Sequence, residues 1–361
     1  MSLPEHPDDQ RLLLNALPGI GPVAARRLAE AFGGDLGRAL RATREELLAV
    51  RGIGPAAADT LGAARFDWRG ERERAARLGL RILTAGQPGW PEALDELWDP
   101  PLALYAEGPS APCRRAVAVV GTRRCTPYGE GMARAIAADL ARAGWWVVSG
   151  LALGIDRAAH EGALEGGGRT AAVLGHGLDQ THPREARALR RRIAETGAVL
   201  SEFPLGRPPD RQSFPQRNRL VAGLSRAVVV VETDLGGGSQ ITARFAGELG
   251  RTLCAVPGRA DSPASRGCHA LIRDGATLVT GADQILEELG ESPVATSRAS
   301  GGKRDEPEPE LMRHFAGGCV HDAETLAAAA GCGADEAAAG LTLMELEGRL
   351  RRRLDGRHEK A

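Results

Sequence analysis

The chain has 361 residues, a length that suits two or three domains rather than one small core. Its composition, 43% hydrophobic and 26% charged, is that of an ordinary globular protein, and no apolar run approaches the ~20 residues that would predict insertion in a membrane. The net charge of −1 excludes a uniformly basic surface but not a local basic patch. Six scattered cysteines without a CxxC pair predict reduced thiols, a cytoplasmic location and no metal site.

Residues 1–65 contain a repeated unit that predicts a helical domain. Residues 19–22 and 52–55 both read Gly-Ile-Gly-Pro, each between an apolar segment and an Ala-rich helix, and Thr43 with Glu46 has the pattern of a capping box. Tandem Gly-h-Gly turns are typical of helix-hairpin-helix domains, in which backbone amides face a phosphate. The alternative is a helical connector whose glycines only permit close packing. The candidate phosphate contacts are Gly19, Gly21, Gly52 and Gly54.

The central part of the chain alternates short apolar strands with helices. Strands are predicted at 116–120, 145–149, 170–174, 197–201, 227–231, 252–256 and 277–280, preceded by two more within 80–84 and 102–108. Continuous apolar strands separated by helices are typical of a buried, doubly wound, mostly parallel sheet, so the fold class is α/β. Such a sheet binds its ligand at the carboxyl ends of the strands.

The C-terminal part has a different composition. Residues 290–310 are polar and rich in Ser, Gly and Pro, which predicts a flexible linker. Residues 311–356 suggest two helices and a short wing, so a small winged-helix-like domain and a three-helix bundle are both open. The predicted division is a helical domain at 1–65, an α/β domain at 66–290, a linker at 291–310 and a C-terminal domain at 311–361.

The first strand of the parallel set runs into a turn, GTRRCTPYG, that resembles a phosphate-binding loop. A dinucleotide site needs G-x-G-x-x-G and an acid at the end of the second strand. This turn lacks the second glycine and the second strand ends without an acid, so an NAD-dependent enzyme is not predicted. Arginines in such a turn form bidentate bonds to phosphate, although a solvent-exposed loop arginine is the alternative. The candidates are Gly121, Thr122, Arg123 and Arg124.

Three further loops follow strands of the same sheet. In the first, Gly150 and Gly154 let the backbone approach a ligand, Asp156 is predicted to cap the next helix and His160 to brace the loop, with an acid–base pair as the alternative. In the second, Phe214 lies among basic and polar residues, a combination typical of single-stranded nucleic-acid binding. Its neighbours are Arg211, Arg217, Asn218 and Arg219. We expect Arg211 and Phe214 to be exposed and some later arginines to pair with Glu202 or Glu232.

The last loop provides another nest of amides at the start of a helix, with Gly238, Ser239 and Thr242 as candidates. Several glycine-rich loops at one edge of a sheet favour an extended polyanion over a single cofactor. No Ser/His/Asp triad, carboxylate pair or metal-ligand set stands out, so neither a cofactor nor a catalytic residue is predicted. The enzymatic alternative is a Rossmann-like nucleoside monophosphate hydrolase, but the acid expected after its glycine loop is replaced by Arg244 and Phe245.

From about residue 80 to 290, seven motifs in one order resemble the DNA-processing protein A family (DprA, also called Smf). They are VVGTRRCTPYG, SGLALGIDRAAHEGAL, AVLGHGLDQTHP, LSEFPLG, FPQRNRLVAGLSRAVVVVET, GGSQITA and AVPGRADSPASRGCHALIRDGATLV. The chain departs from the family pattern at His182, where Tyr is usual, at Ala186, where Asn is frequent, and at Gln240, where an apolar residue is expected. These departures leave the arginine turn intact.

The resemblance implies an extended Rossmann-like domain between a SAM-like helix-hairpin-helix domain and a winged-helix-like domain. It implies binding of single-stranded DNA without strong sequence preference, protection of incoming DNA in natural transformation and loading of the RecA recombinase. It further implies a homodimer formed through the Rossmann-like domain, with no enzymatic activity. The family's DNA-contacting positions fall on Gly121, Thr122, Arg123, Arg211 and Phe214.

Overall fold

The computed structural model describes residues 3–63, 66–210, 213–291, 310–318, 320–346, 349–353 and 356–360. The chain divides into two compact units, Met1–Thr296 and Ser297–Ala361. Nearly all of the predicted linker at 291–310 lies outside the described residues, and so does Arg211. The predicted domain boundaries stay predictions. Among the described helices, none is long and apolar enough to cross a membrane.

The N-terminal repeat forms short helices around a core of its own. The helices are α1 (Pro7–Ala16), α2 (Pro22–Ala31), α3 (Leu36–Arg41), α4 (Arg44–Leu48), α5 (Pro55–Ala63) and α6 (Trp68–Arg77). The predicted capping box is confirmed, because Thr43 Oγ1 accepts from the Glu46 amide and the Glu46 carboxylate accepts from the Thr43 amide. Gly19 and Gly52 have φ of 76° and 82°, a left-handed conformation that favours glycine, and each precedes the Gly-Pro that begins α2 or α5.

One sheet of nine strands dominates the first unit, in the order β1-β2-β6-β5-β4-β3-β7-β8-β9. The strands are β1 (Arg81–Leu83), β2 (Leu104–Glu107), β3 (Ala116–Val120), β4 (Trp146–Ser149), β5 (Thr170–Val173), β6 (Ala198–Ser201), β7 (Ala227–Val230), β8 (Thr252–Ala255) and β9 (Thr277–Leu278). The predicted α/β, mostly parallel architecture is confirmed, since only β2 pairs antiparallel, with β1 and with β6. The strand order reverses at β3, which lies between β4 and β7.

Helices cover both faces of the sheet, which explains why its strands read as continuous apolar runs. They are α7 (Pro127–Arg142), α8 (Ile155–Glu165), α9 (Arg187–Thr196), α10 (Ser213–Gly223), α11 (Ser239–Glu248), α12 (Pro263–Arg273) and α13 (Ala282–Glu288). Alternate residues of β3 contribute to two cores: Val117 packs with α7 and α8, and Ala118 packs with α10 and α11. The N-terminal helices dock beside this sheet, where the Asn15 amide donates to the Glu202 carbonyl at 2.8 Å.

The C-terminal unit contains a 3-10 helix (Glu310–Gly318), α14 (Ala323–Ala330), α15 (Ala334–Leu346) and the antiparallel pair of β10 (Leu350–Arg352) and β11 (His358–Lys360). Phe315, Leu326 and Leu341 are buried in its small core. Two helices and a strand pair agree with the elements expected from the sequence, and the winged-helix assignment stays a prediction.

His160 does not brace the loop before α8, as the sequence suggested, but ties α8 to the sheet. Its Nδ1 lies 2.7 Å from Thr170 Oγ1, which donates its own proton to the Val147 carbonyl, so Nδ1 must carry the hydrogen. Nε2 is buried without a partner among the described residues. Burial, aided by the charge of Arg217, lowers the pKa of His160 to about 3, which keeps the ring neutral at pH 7.

This lowered pKa predicts an acid-sensitive fold. The unfolded chain takes up a proton on His160 below its ordinary pKa of about 6.5, whereas the folded chain does not. The contribution of His160 to the free energy of unfolding is therefore fully present above pH 6.5, and it decreases as the pH falls from 6.5 toward 3. From pH 7 to 5 we expect a loss of about 2 kcal/mol from this residue, measured by urea unfolding. His160→Asn, which keeps a donor toward Thr170, should lack that part of the pH dependence; equal slopes in the two proteins would contradict the assignment.

Candidate nucleic-acid interface

A cavity of about 450 Å³ opens at the carboxyl ends of the central strands, beside the point where the strand order reverses. This is the place where an open α/β sheet is expected to bind a ligand. The structure brings together the loops after β3, β4 and β7, which the sequence predicts to bind a ligand, and the start of α10. Of the predicted site residues, those that line the cavity are Gly121, Thr122, Arg123, Arg124, Gly150, Phe214, Arg217, Asn218, Gly238, Ser239 and Thr242.

The most prominent feature of the cavity is a stack of Arg123 on Phe214. The Arg123 guanidinium carbon lies 4.9 Å from the centroid of the Phe214 ring, a cation–π contact, with Arg123 exposed and Phe214 partly buried. Such a contact contributes about 0.5–1 kcal/mol at an exposed site. The sequence placed the two residues in separate motifs; the fold combines them into one surface with a charge and an aromatic face.

The turn that carries Arg123 is held by Glu232, which follows β7. The Thr122 amide donates to the Glu232 carbonyl at 2.7 Å, and the Glu232 carboxylate accepts from the Thr126 amide at 2.8 Å and from its hydroxyl at 2.6 Å. The Thr122 carbonyl accepts from the Ile155 amide at 3.2 Å. The fold therefore uses the Thr122 amide to fix the turn, and the role of Thr122 as a phosphate contact stays a prediction.

Glu232 is a residue whose role the sequence reasoning missed, having treated it only as a partner for arginines. The position of Glu232 just after a buried strand, at the edge where ligands bind, could have indicated this role. The Glu232 carboxylate lies close to the backbone of Gly129 in the first turn of α7, where a Cβ would collide with it. Glycine at that position permits the carboxylate to reach the turn.

The two later arginines of α10 are structural. Arg219 is buried in an ion pair with Glu202 and lies 3.4 Å from Asp99, outside the cavity, so its assignment as a nucleic-acid contact is corrected. Arg217 lines the cavity, but it is 5% exposed and its Nη1 donates to the Val173 carbonyl at 2.5 Å. Burial lowers the pKa of Arg217, partly offset by Asp156. These arginines agree with the pairing expected for some of the basic residues.

Asp156 does not cap α8, as the sequence predicted; Gly154 occupies the cap position. The buried Asp156 carboxylate instead accepts from the amides of Gly150, at 3.1 Å, and Ala152, at 3.4 Å. Burial raises the pKa of Asp156, and the charge of Arg217 opposes that rise. A Cβ on Gly150 would collide with the Arg217 guanidinium, so this glycine lets the loop lie directly on the arginine.

The N-terminus of α11 forms another side of the cavity. The first amides of a helix have no intrahelical partner and attract anions. The Asn218 amide donates to the Gly238 carbonyl at 3.3 Å, and the Ser239 hydroxyl donates to Thr233 Oγ1 at 2.8 Å. Asp234 also lines the cavity, where Arg266 balances its charge at 3.1 Å. The amides of Gln240 and Ile241 already donate to the Gly237 and Gly238 carbonyls, at 3.0 and 3.2 Å, so the predicted nest of amides stays a prediction.

The glycines of the helix hairpins do not line this cavity. A Cβ at Gly19, Gly21 or Gly54 would meet nothing, whereas one at Gly52 would collide with the Arg27 guanidinium. Arg27 therefore lies over the second hairpin turn. The role of the four hairpin glycines as phosphate contacts stays a prediction.

Gly154 does not line the cavity but supports it, which generates a prediction about stability. Its φ of 78° is a conformation that L side chains rarely adopt, and a Cβ would lie 2.8 Å from the Arg123 carbonyl carbon and collide with the Thr122 oxygen. Gly144 has the same φ with nothing within 4 Å of its Cβ position. We expect Gly144→Ala to cost about 1 kcal/mol, from strain alone, and Gly154→Ala at least twice as much. Denaturant unfolding measures both, and equal losses would show that the turn does not press on Gly154.

The comparisons with known proteins agree with this geometry. The family model described as DNA recombination-mediator protein A matches residues 81–290, and a model of the SAM-like helix-hairpin-helix tandem matches residues 11–62. Protein Smf from Synechocystis sp. is 38% identical over 78% of this chain and 73% of its own. The putative DNA processing protein DprA from Mycobacterium tuberculosis is 45% identical over 62% of each chain, so this match spans less than two thirds of that relative.

Solved structures lead to the same family. The X-ray structure of DNA processing protein A from Streptococcus pneumoniae has a TM-score of 0.68 at 31% identity, covering 80% of this chain and 99% of that one. A structure of DNA processing protein A from Helicobacter pylori, solved for its single-stranded DNA binding mode, has a TM-score of 0.52 at 34% identity, covering 58% and 95% of the two chains. With a family match over more than half of its length, an α/β sheet of the same architecture and the arginine turn at its edge, this chain belongs to the DNA recombination-mediator protein A family.

Proposed function

We propose that the chain binds single-stranded DNA in the cavity at the carboxyl edge of the sheet. The observation that carries the proposal is the contact of Arg123 with Phe214 in one cavity. A guanidinium binds a phosphate through bidentate hydrogen bonds, and an aromatic ring stacks on a base that is not paired. In a duplex the faces of the bases are covered by their neighbours, so the ring favours an unpaired strand.

The geometry supports binding without strong sequence preference. An exposed cation at the rim is the Arg123 guanidinium, and a contact between a guanidinium and a phosphate carries no sequence information. Stacking tolerates every base, because every base has a π face. DNA processing protein A from Helicobacter pylori has a single-stranded DNA binding mode, which supports the same ligand class for this chain.

The wider role that we propose is DNA processing in natural transformation, as in relatives named DNA processing proteins. In that role the chain protects incoming single strands and loads the RecA recombinase onto them. It acts as a homodimer formed through the α/β domain, in the cytoplasm. The five cysteines of the described residues are unpaired thiols, which suits a reducing compartment.

We propose a binding role rather than catalysis, because the acidic groups at the cavity are already engaged. Asp156 accepts two loop amides and Asp234 pairs with Arg266, while His160 is buried and bonded to Thr170. The enzymatic alternative is hydrolysis of a nucleoside monophosphate. Incubating the purified chain with nucleoside monophosphates tests it: sustained release of free base would replace the binding proposal with an enzymatic one.

Removal of the charge at Arg123 should weaken binding and its salt dependence. A hydrogen bond to a charged group contributes about 1.5–3 kcal/mol, so Arg123→Gln should raise the Kd for oligothymidine about ten- to hundred-fold. The slope of log K against log salt should decrease by about 0.7. Arg142→Gln, at the other end of α7 and also exposed, is the matched control. Fluorescence anisotropy across a salt series measures the Kd and the salt slope of each variant. Equal values for the two variants would refute the assignment of Arg123.

Replacement of Phe214 tests the aromatic half of the site separately. Phe214→Leu keeps an apolar side chain but removes the flat face, so binding should weaken by about 1–3 kcal/mol. The salt slope should stay at the wild-type value, because no phosphate contact is lost. The same anisotropy series provides the measurement, and a reduced slope with unchanged affinity at low salt would contradict a stacking role.

A further inference from the structure

We propose that the bound strand leaves the cavity past His182 and continues along an exposed arginine stripe, formed by Arg184, Arg187 and Arg191. The stripe lies on a 3-10 turn (Arg184–Ala186) that leads directly into α9. The proposal rests on the proposed function, since it adds a second segment to the same single-strand path. Its own evidence is the position and the charge of the stripe.

The three arginines share one face of a helix. Spacings of three and four residues bring side chains onto the same side of a helical segment. The opposite side is buried, with Ala186, Leu189 and Ile193 in a core beside β5 and β6. The three arginines are exposed and span eight residues, a length of about 10 Å at the rise of an α-helix.

These arginines differ from most others in the described residues by having no ion pair there. Arg190, on the same helix, is buried and pairs with Glu107 at 2.7 Å. Arg134, on α7, contacts three glutamates. In the described part of the chain, Arg184, Arg187 and Arg191 form no salt bridge, so their charge is available to an external anion.

The acids on the same segment leave the stripe basic. Glu185 lines a small cavity together with Glu161, Arg157 and Arg192, so two acids and two cations meet there. Glu195 is exposed near the end of α9, one turn beyond Arg191. A row of cations with one acid at its far end matches a polyanion better than a discrete small ligand.

An aromatic contact connects the cavity to the stripe. The ring of Phe214, which stacks on Arg123, lies 6.5 Å from the ring of His182 between centroids. His182 is exposed and stands two residues before Arg184. A base that leaves the stack on Phe214 therefore meets a second ring before its phosphate reaches the first arginine of the stripe.

The test compares strands of two lengths. The short strand is oligothymidine of three nucleotides, and the long strand is oligothymidine of about twenty-five nucleotides, chosen so that only the long one reaches from the cavity over the whole stripe. We expect R184Q/R187Q/R191Q to bind the short strand as the wild type does and the long strand at least ten-fold more weakly. The salt slope for the long strand should fall by about 2, from three phosphate contacts. Glutamine is a good helix former, so α9 should persist, which circular dichroism checks.

The control R77Q/R142Q/R273Q removes the same charge from exposed positions away from the stripe. The single variant R187Q should change the salt slope by about 0.7, and it tests the stripe independently should the triple variant fail to fold. Long-strand binding equal to that of the control would overturn the proposal and leave the stripe for another partner, such as an acidic protein. An equal loss on short and long strands would also overturn it. Failure of the wild type to bind either strand would instead refute the proposed function.

Discussion

The site depends on the attachment of one turn to the end of a neighbouring strand. Glu232 holds the turn after β3 in two ways. Its carbonyl accepts from the Thr122 amide, and its carboxylate accepts from the amide and the hydroxyl of Thr126. Because these bonds satisfy the backbone locally, the Arg123 side chain is left to face the cavity while its backbone stays fixed. A charged group that is held in place before binding loses less freedom when its ligand arrives.

Beneath that turn, a buried polar layer fixes the floor of the cavity. Arg217 contacts the end of β5 through Val173, and Asp156 holds the loop after β4 by two amides. Buried charges of this kind are costly unless they are hydrogen-bonded, and breaking one partner leaves the other exposed to a low dielectric. The layer therefore links the ends of β4 and β5, and its close packing against the loop explains why a glycine is needed at position 150.

The arginines of the molecule separate into two groups by burial. Arg190, Arg217 and Arg219 are buried and bonded to carboxylates or carbonyls, so their charges serve the fold. Arg123 and the arginine stripe are exposed and point to a polyanion. This separation reconciles a net charge of −1 with a nucleic-acid-binding face, because the local balance of charge, rather than the total, determines which surface attracts phosphate.

The sequence alone determined the strands, the parallel sheet, the capping box and the edge where the loops meet, because these follow from local periodicity and short-range bonding. It also determined the family, through ordered motifs. Tertiary structure decided which side chains are free. Arg219 and Arg123 look alike in the sequence, yet one is buried against Glu202 and the other stacks on Phe214. Burial and pairing depend on residues far apart in the chain, and no local pattern records which of them meet.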